Sequence, residues 1–147
     1  MAEETENVSA KFVEAEQLEN DGRRVEAIGV YSDIIREIES RLREESVEAS
    51  ASALSTLREQ LALAYNNRGI CYYMEVEFRL AIEDYTKALE YHSEMARTYC
   101  NRGVIHYRLG RFQEAVEDMR KTLSLLPDFE PAQQCLKQCF KELEADT

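Results

Sequence analysis

Apolar and polar positions follow a helical period most clearly near the end of the chain, in EPAQQCLKQCFKELEA (130–145). Leu136, Cys139, Phe140 and Leu143 fall on one face of a helix, and the other face carries Lys, Gln and Glu. The segment therefore predicts an amphipathic helix, with Pro131 in its first turn. The whole chain has only five glycines and two prolines, which favours helices broken by few turns.

Two adjoining segments in the middle of the chain repeat one pattern. Residues 62–95 and 96–129 abut without a gap, and twelve of their 34 aligned positions are identical. The matched pairs include Tyr65/Tyr99, Asn67/Asn101, Arg68/Arg102, Gly69/Gly103, Phe78/Phe112, Ala81/Ala115 and Leu89/Leu123. Self-similarity at this period is typical of stacked helical hairpins, in which neighbouring repeats bury each other's apolar faces.

The repeat resembles the signature of the tetratricopeptide repeat (TPR) family. The first aromatic, the small and the A-x3-F positions are Tyr65, Gly69, Ala81 and Tyr85 in one copy, and Tyr99, Gly103, Ala115 and Met119 in the other. Pro127 supplies the proline that ends the second helix. Small residues let two helices approach closely, and large residues fill the space beside them. The resemblance implies an all-α fold.

A third, more divergent copy is predicted upstream, over about residues 8–41. Ala27 and Tyr31 match the A-x3-F element, and counting back places Ala15 at the small position. Lys11 occupies the position of the first aromatic, and no proline ends the segment. The run NDGR (20–23) supplies turn residues where the repeat should turn, as do Gly110 and Arg111 in the last copy.

Twenty residues, LREESVEASASALSTLREQL (42–61), separate the first two copies. Their Ala, Glu and Ser content predicts that the second helix continues to about residue 46. A Ser-rich break near 46–52 and an early start of the third helix would follow. Thr56 and Glu59 fit a capping box, but Ser50 or Ser52 could equally cap the helix. A phosphorylated or disordered linker is the alternative.

Together these segments predict one all-α domain over 1–147. It is a TPR α-solenoid of three helix–turn–helix repeats (8–41, 62–95 and 96–129) and a capping helix (130–145), with seven helices in all. Within the family, the run Tyr65–Gly69, the insert before it and the YRLG run (107–110) most resemble a small vertebrate member. That closer resemblance implies no assigned activity.

The charge of the chain argues against two classes of partner. Its formal net charge is −11, from 29 acidic and 18 basic residues. Nucleic acids and anionic membranes both attract clusters of Lys and Arg, so neither is expected as a partner. The polar N-terminus does not resemble a secretory signal, and no apolar run approaches the length of a membrane span. The cysteines lie within helical patterns, so we expect reduced thiols in a cytoplasmic or nuclear protein: Cys71, Cys100, Cys135 and Cys139.

The family resemblance implies where a partner would bind, because the first helices of successive TPRs line a concave groove. The predicted binding residues on this face are Asn66, Asn67, Tyr73, Arg97, Asn101, Tyr107, Arg108 and Gln134. Their amides can donate and accept hydrogen bonds, which suits an extended peptide. The charged members are arginines in an acidic chain, which indicates a peptide with one or two acidic groups. Alternatively, the two Asn-Arg-Gly runs only fix helix packing.

The same face includes Phe12, Glu16 and Glu19 on the first helix and Cys100 on the fifth. By resemblance, chaperone-binding TPR domains hold a terminal carboxylate with Lys and Asn on the first helix, Asn on the third, and Lys and Arg on the fifth. Here Asn67 fits and Arg97 could replace the lysine. Phe12 and Glu16 occupy the first-helix positions, and Asn101 replaces the arginine, so a chaperone-tail clamp is not expected.

No cofactor, metal site or catalytic site is expected. Cys135 and Cys139 lie at positions that should pack as small apolar side chains, not in a metal-binding pair. The sequence has no phosphate-binding loop, zinc-protease motif or nucleophile elbow. The repeated Glu-Asp pairs at 83–84 and 117–118 are interpreted as part of a solvated convex face. The chain is therefore predicted to be non-enzymatic.

Two functions remain open. The first is a monomeric adaptor or scaffold that binds a partner peptide or helix in its concave groove. The second is a structural subunit of a larger assembly, which would use the convex face or the extended hairpin formed by the insert. An exposed apolar surface along 42–61 would favour the second.

Overall fold

The computed structural model describes the backbone of residues 2–45 and 50–145, and the side chains of residues 7–44 and 50–145. These residues form α1 (Ala2–Asn20), α2 (Arg24–Glu45), α3 (Ala51–Met74), α4 (Phe78–Tyr91), α5 (Ala96–Arg108), α6 (Phe112–Leu125) and α7 (Glu130–Ala145). No strand occurs in this part of the chain. The predicted all-α fold with seven helices is confirmed.

The helices fall into two compact units. Unit 1 (Met1–His92) contains α1 to α4, and unit 2 (Ser93–Thr147) contains α5 to α7. In unit 1, α1 packs on α2, α2 on α3, and α3 on α4; in unit 2, α6 packs on both α5 and α7. Each unit therefore has a core built between consecutive helices, as expected for helical hairpins.

The divergent hairpin α1–α2 has a core of small and aromatic side chains. Ala15, Ala27 and Tyr31 are fully buried. Lys11, at the position where the other copies have tyrosine, places its Nζ 3.2 Å from Glu37 Oε2 on α2. The Lys11–Glu37 ion pair thus joins α1 to α2 at this position of the divergent copy. Helix α1 begins at Ala2, earlier than the predicted start near residue 8.

The two helices of each hairpin are joined by the same tight turn. Gly22, Val76 and Gly110 all have a positive φ, of 78°, 61° and 76°. The following amide reaches back to a carbonyl five residues earlier, at 2.8 Å in all three turns. This is a Schellman-type helix end, which requires a left-handed residue. Glycine adopts that conformation without strain, whereas the β-branched Val76 does not.

The insert lengthens helix α3 at its N-terminal end. Ser50 caps the helix, because its hydroxyl accepts a hydrogen bond from the Ala53 amide at 3.2 Å. The capping box at Thr56 is wrong, since Thr56 lies inside the helix and donates to the Ser52 carbonyl at 3.1 Å. Ser52 is also inside the helix, so it is not the cap. The disordered-linker alternative is wrong for residues 51–61, which are helical. The break was predicted near 46–52; residues 51 and 52 are already part of α3, and residues 46–49 lie outside the described residues.

In unit 2, helix α7 covers the apolar side of α5 and α6. One buried cluster joins Cys100, Met119 and Ala132, and a second joins Ala115, Val116 and Cys139. Partly buried apolar side chains of α7 pack against both clusters. Helix α7 thus removes from water apolar surface that α5 and α6 would otherwise expose.

Candidate protein-interaction site

An arginine–aspartate pair joins the two helices in each clear repeat. In unit 1, Nε and Nη2 of Arg68 on α3 donate to Asp84 Oδ2 and Oδ1 on α4 at 2.8 and 2.7 Å. In unit 2, Arg102 on α5 makes the same two bonds to Asp118 on α6, at 2.9 and 2.7 Å. Two parallel charge-assisted bonds fix the rotation of one helix against the other. They therefore also fix which side of α3 faces away from α4, and which side of α5 faces away from α6.

The aspartates of these pairs are buried, so the interpretation of both Glu-Asp pairs as a solvated face is half wrong. Asp84 and Asp118 have relative exposures of 4% and 5%. The preceding residues Glu83 and Glu117 are exposed, as expected. The signal for the pairing was present in the sequence, because arginine and aspartate recur with the same 16-residue separation in both copies.

Aromatic rings surround the arginine of each pair. The Arg68 guanidinium lies 5.5 Å from the centre of the Tyr65 ring and 5.7 Å from that of Tyr72. The Arg102 guanidinium lies 5.8 Å from the Tyr99 ring. The rings shield the ion pairs from water and attract the cations. The signature aromatics therefore help to hold each hairpin together. This agrees with the alternative interpretation of the Asn-Arg-Gly runs, in which they fix helix packing.

On α3, the predicted binding residues lie beside or opposite this ion pair. At about 100° per residue, Asn66 is on the far side of α3 from Arg68. Asn66 Nδ2 donates to Asn67 Oδ1 at 3.2 Å, and both side chains are half-buried. The Tyr73 ring stacks on Phe78 of α4 at 5.7 Å, so it also supports the corner of the hairpin. All three side chains are therefore half-buried, and each has a partner within unit 1.

A buried polar cluster joins α1, α2 and α3 in unit 1. Glu19 of α1 accepts hydrogen bonds from the Tyr31 hydroxyl at 2.5 Å and from the Cys71 thiol at 3.4 Å. Burial, followed by the nearby Glu19 charge, raises the pKa of Cys71 to about 12. Glu19 was expected among the groove positions, but its carboxylate is used to tie α1, α2 and α3 together. The sequence gives no signal for this contact, because the three residues are far apart in the chain.

On α5, three predicted residues form one stripe. Arg97, Asn101 and Arg108 are separated by four and seven residues, so they lie within about 40° of one another around the helix. The side chains of Arg97 and Arg108 are exposed, and that of Asn101 is half-buried. The Arg97 guanidinium stacks over the Phe129 ring at 5.6 Å, which restrains its position. The structure thus places two cationic side chains and an amide on one helix face, called here the α5 stripe.

The remaining predicted residues of unit 2 differ in accessibility. The Tyr107 ring packs against Phe112 at 5.5 Å and is partly buried, like its counterpart in unit 1. Gln134 on α7 is exposed and donates to Glu130 Oε1 at 2.9 Å. Cys100, expected as a groove position, is instead buried in the core because α7 covers it. The prediction of Cys100 as a groove position is therefore wrong, since α7 packs on the side of α5 that carries it.

The thiols and acidic groups of the described residues do not form a metal site. No group of three His, Cys, Asp or Glu side chains converges in residues 7–44 and 50–145. Burial raises the pKa of Cys100 and Cys139, and of Cys135 to about 12, so these thiols are protonated at neutral pH. Among the described helices, none is long and apolar enough to cross a membrane.

Comparison with known proteins identifies the repeat. Residues 62–94 and 96–129 each match the family model of the tetratricopeptide repeat. These segments coincide closely with the two copies found in the sequence, and with the α3–α4 and α5–α6 hairpins. These two hairpins are therefore assigned to the tetratricopeptide repeat.

Solved TPR domains have the same fold as this chain. The C-terminal TPR-containing domain of a Plasmodium falciparum FK506-binding protein superposes with a TM-score of 0.77 at 20% identity, covering 97% of this chain and 94% of that one. The Arabidopsis OM64 TPR domain gives 0.74 at 22% identity, covering 94% and 98%. The second TPR domain of human RPAP3, solved with the HSP70 peptide SGPTIEEVD, gives 0.72 at 20% identity, covering 92% and 97%. The fold is the all-α TPR fold.

Proposed function

We propose, on the premise that residues 62–129 form two tetratricopeptide repeats, that this chain is a protein-interaction module whose α5 stripe binds an acidic segment of a partner protein. The observation that carries the proposal is the placement of Arg97 and Arg108 on one exposed face, with Asn101 between them. In a chain of net charge −11, two exposed arginines on one stripe produce a local field that favours an acidic ligand.

The chemistry of the stripe suits an extended peptide. Each guanidinium can donate two parallel hydrogen bonds to one carboxylate. The Asn101 amide can donate to a backbone carbonyl and accept from a backbone N–H. Asn66 and Asn67 on α3 and Gln134 on α7 offer the same capacity, and Tyr73 and Tyr107 add apolar surface. We therefore propose all eight predicted residues as partner contacts, with the α5 stripe as the main determinant of affinity.

A structural neighbour supports an acidic ligand. The human RPAP3 domain was solved with a peptide that ends in Glu-Glu-Val-Asp. Our proposal for this chain differs in the kind of acidic segment, because Phe12 and Glu16 stand where a chaperone-tail clamp would have Lys and Asn. Glu16 is exposed and would repel a terminal carboxylate. We propose an acidic segment within a partner chain, with a free carboxyl terminus not required.

The wider role follows from the same chemistry. We propose a monomeric, non-enzymatic adaptor or scaffold in the cytoplasm or nucleus, without a cofactor and without a nucleic-acid or membrane partner. The excess of acidic residues supports the absence of polyanionic partners. The closer resemblance to a small vertebrate member of the family stays a prediction.

Proximity labelling in cells tests the proposal. Three versions are compared: wild type, Arg97→Glu/Arg108→Glu, and Asn67→Ala, each checked for folding by circular dichroism. The matched control is Arg79→Glu/Arg120→Glu, which changes the net charge equally at exposed positions of α4 and α6. We expect specific partners to be lost from the α5 double variant and kept by the control, with a smaller effect of Asn67→Ala. Retention of the same partners by the α5 double variant would refute the proposal.

The alternative function is that of a structural subunit that uses the extended α2–α3 hairpin. One observation favours it: α3 begins at Ala51, eleven residues before the repeat proper at 62. The additional turns create a surface that the other hairpins lack. Loss of partners from variants of that surface, but not from α5 variants, would identify this second function.

A further inference from the structure

The turn between α3 and α4 exposes two apolar side chains and a carboxylate. Met74 is the last residue of α3, and Val76 lies in the turn that follows it. Their side chains are 50% and 69% exposed, and their Cα atoms, two residues apart, are within about 7 Å of each other. Glu77, the next residue, is also exposed. Met74, Val76 and Glu77 are called here the α3–α4 corner.

The corner is restrained by contacts on both of its sides. Tyr73, next to Met74, stacks on Phe78 of α4 with ring centres 5.7 Å apart. The Glu77 amide donates to the Tyr72 carbonyl at 2.8 Å. The corner is therefore ordered before a partner binds, which lowers the entropic cost of binding.

Valine is an unexpected residue at position 76. Its φ of 61° lies in the left-handed region, which a β-branched residue adopts only with strain. Glycine takes this place in the other two turns, as Gly22 and Gly110. Because the Val76 side chain is exposed, packing within the fold does little to offset the strain. Strained residues of this kind are concentrated at sites that bind ligands.

The corresponding corner of unit 2 has different chemistry. The 34-residue repeat aligns the three corner residues with Arg108, Gly110 and Arg111. Two apolar side chains and a carboxylate in unit 1 thus correspond to two cations and a glycine in unit 2. Both turns have a positive φ and the same 2.8 Å amide–carbonyl bond, so they differ in side chains and not in backbone geometry.

Glu77 is available to a cationic ligand. Its side chain makes no ion pair or hydrogen bond with any residue that the structure describes, and it does not cap α4. Two nearby cations are already paired: Arg24 with Glu75 at 2.9 Å, and Arg79 with Glu83 at 3.0 Å. The corner therefore has a carboxylate without a partner, beside cations that have one.

The charge of the whole of unit 1 acts in the same direction. Residues 1–92 contain 20 acidic and 10 basic residues, whereas residues 93–147 contain 9 and 8. Nearly all the excess negative charge of the chain thus belongs to unit 1. The resulting field attracts a cationic segment and repels an acidic one.

We propose that the α3–α4 corner is a docking site for a partner segment in which a Lys or Arg adjoins an aliphatic or aromatic residue. The apolar side chain packs on Met74 and Val76, and the cation pairs with Glu77. This site goes beyond the proposed function, because its ligand is opposite in charge to that of the α5 stripe. It does not depend on that stripe, since its residues all belong to unit 1.

Peptide selection on the full-length chain tests this proposal. Phage-displayed twelve-residue peptides are selected on immobilised wild type in the presence of an excess of the soluble triple variant Met74→Arg/Val76→Gly/Glu77→Arg. This competitor carries the residues of the unit 2 corner, so the turn is preserved, and it removes peptides that bind elsewhere. We expect the enriched peptides to contain Lys or Arg next to Leu, Ile, Phe or Tyr.

Single substitutions measure each contact. Val76→Gly and Met74→Ser should each weaken binding of the enriched peptides by about fivefold or more, the loss expected for a side chain inside an interface. Glu77→Gln should weaken it by about two- to fivefold, since an exposed ion pair contributes less. Val76→Gly is the most informative, because it relieves the strain: binding should fall although the midpoint of thermal unfolding does not.

Val13→Ala and Glu14→Gln are the matched controls, an exposed valine and an exposed glutamate on α1. Neither should change the affinity of the enriched peptides. Thermal unfolding checks that each variant is folded, and Met74→Ser decides if Val76→Gly is not. The proposal is overturned if no peptide is enriched, if the enriched peptides lack Lys and Arg, or if the Val76 and Met74 variants bind them as well as wild type.

Discussion

A Cβ atom at Gly69 would lie 2.8 Å from Cε1 and 2.9 Å from Cδ1 of Tyr85, so only glycine lets α3 lie this close to α4. Tyr85 is 1% exposed and its ring cannot move aside. We predict that Gly69→Ala lowers the free energy of unfolding by about 2 kcal/mol, as overpacking does in a filled core. Urea unfolding followed by circular dichroism measures it.

Two other glycines serve as controls. At Gly103 the closest atom is the flexible end of Met119, at 2.8 Å, and the next is Asp118 Cβ, at 3.0 Å. The Met119 end can move aside whereas the Tyr85 ring cannot, so Gly103→Ala should also destabilise the protein, but by less than Gly69→Ala. At Gly29, within α2, nothing lies within 4 Å of an added Cβ. Gly29→Ala should therefore stabilise the protein by about 0.5–1 kcal/mol, the helix-propensity difference. Equal effects at all three positions would contradict the close approach of α3 and α4.

The Arg68–Asp84 pair predicts a large effect of removing one partner. Asp84→Ala leaves a partly buried guanidinium without its carboxylate, and we expect a loss of about 3 kcal/mol in the free energy of unfolding. The neighbouring Glu83→Ala breaks only the exposed pair with Arg79, whose side chain is 81% exposed, and should change stability by less than about 0.5 kcal/mol. The same urea titration compares them. Similar losses from both would show that the buried pair does not stabilise the hairpin.

Val76 provides a test of backbone strain. A β-branched residue in the left-handed region costs about 1–2 kcal/mol, which glycine avoids at an entropic cost of about 0.5–1 kcal/mol. Val76 is 69% exposed, so little packing is lost on truncation. Val76→Gly should raise the free energy of unfolding by up to about 1 kcal/mol.

Val25 is the matched control for this substitution, because it is 70% exposed and lies in the first turn of α2, without a positive φ. Val25→Gly should destabilise the protein. If Val76→Gly lowers the midpoint of thermal unfolding as Val25→Gly does, the strain assigned to this turn is absent.

These cases show what the sequence could and could not predict. Helix number and the two clear repeats followed from period and identity, which are local properties. Capping chemistry left Ser50, Ser52 and Thr56 open as the start of α3, and the structure selects Ser50. The burial of Asp84 depended on pairing two positions 16 residues apart, and it was missed because Glu-Asp was interpreted by polarity alone. The Glu19 contacts with Tyr31 and Cys71, which join three helices, depend on tertiary packing, for which one sequence contains no direct signal.

His106 predicts a pH dependence of stability. Burial lowers the pKa of His106 from its usual 6.5, and Arg102 and Arg111 act in the same direction. Asp118, whose Oδ2 lies 3.9 Å from Nε2, and Glu114 oppose the shift. The His106 Nδ1 atom is buried, with no hydrogen-bond partner among the described residues.

Because the folded-state pKa is lowered, the unfolded state binds the proton first as the pH falls. The contribution of neutral His106 to the free energy of unfolding is therefore complete above about pH 6.5, and it is lost as the pH falls below that value. Urea unfolding at pH 7.5, 6.5 and 5.5 should show a steeper decline for wild type than for His106→Gln. Parallel declines in the two proteins would mean that His106 titrates alike in the folded and unfolded states.

Site-specific photocrosslinking tests the central claim, that the α5 stripe contacts the partner. A photoreactive phenylalanine derivative replaces Asn101 in one protein, and Glu117, exposed on α6, in another. The account predicts that a partner captured by the wild type crosslinks at position 101 and not at 117. It also predicts that adding Arg97→Glu and Arg108→Glu removes the crosslink at 101. A crosslink at 117 that survives those two changes, with none at 101, would contradict it.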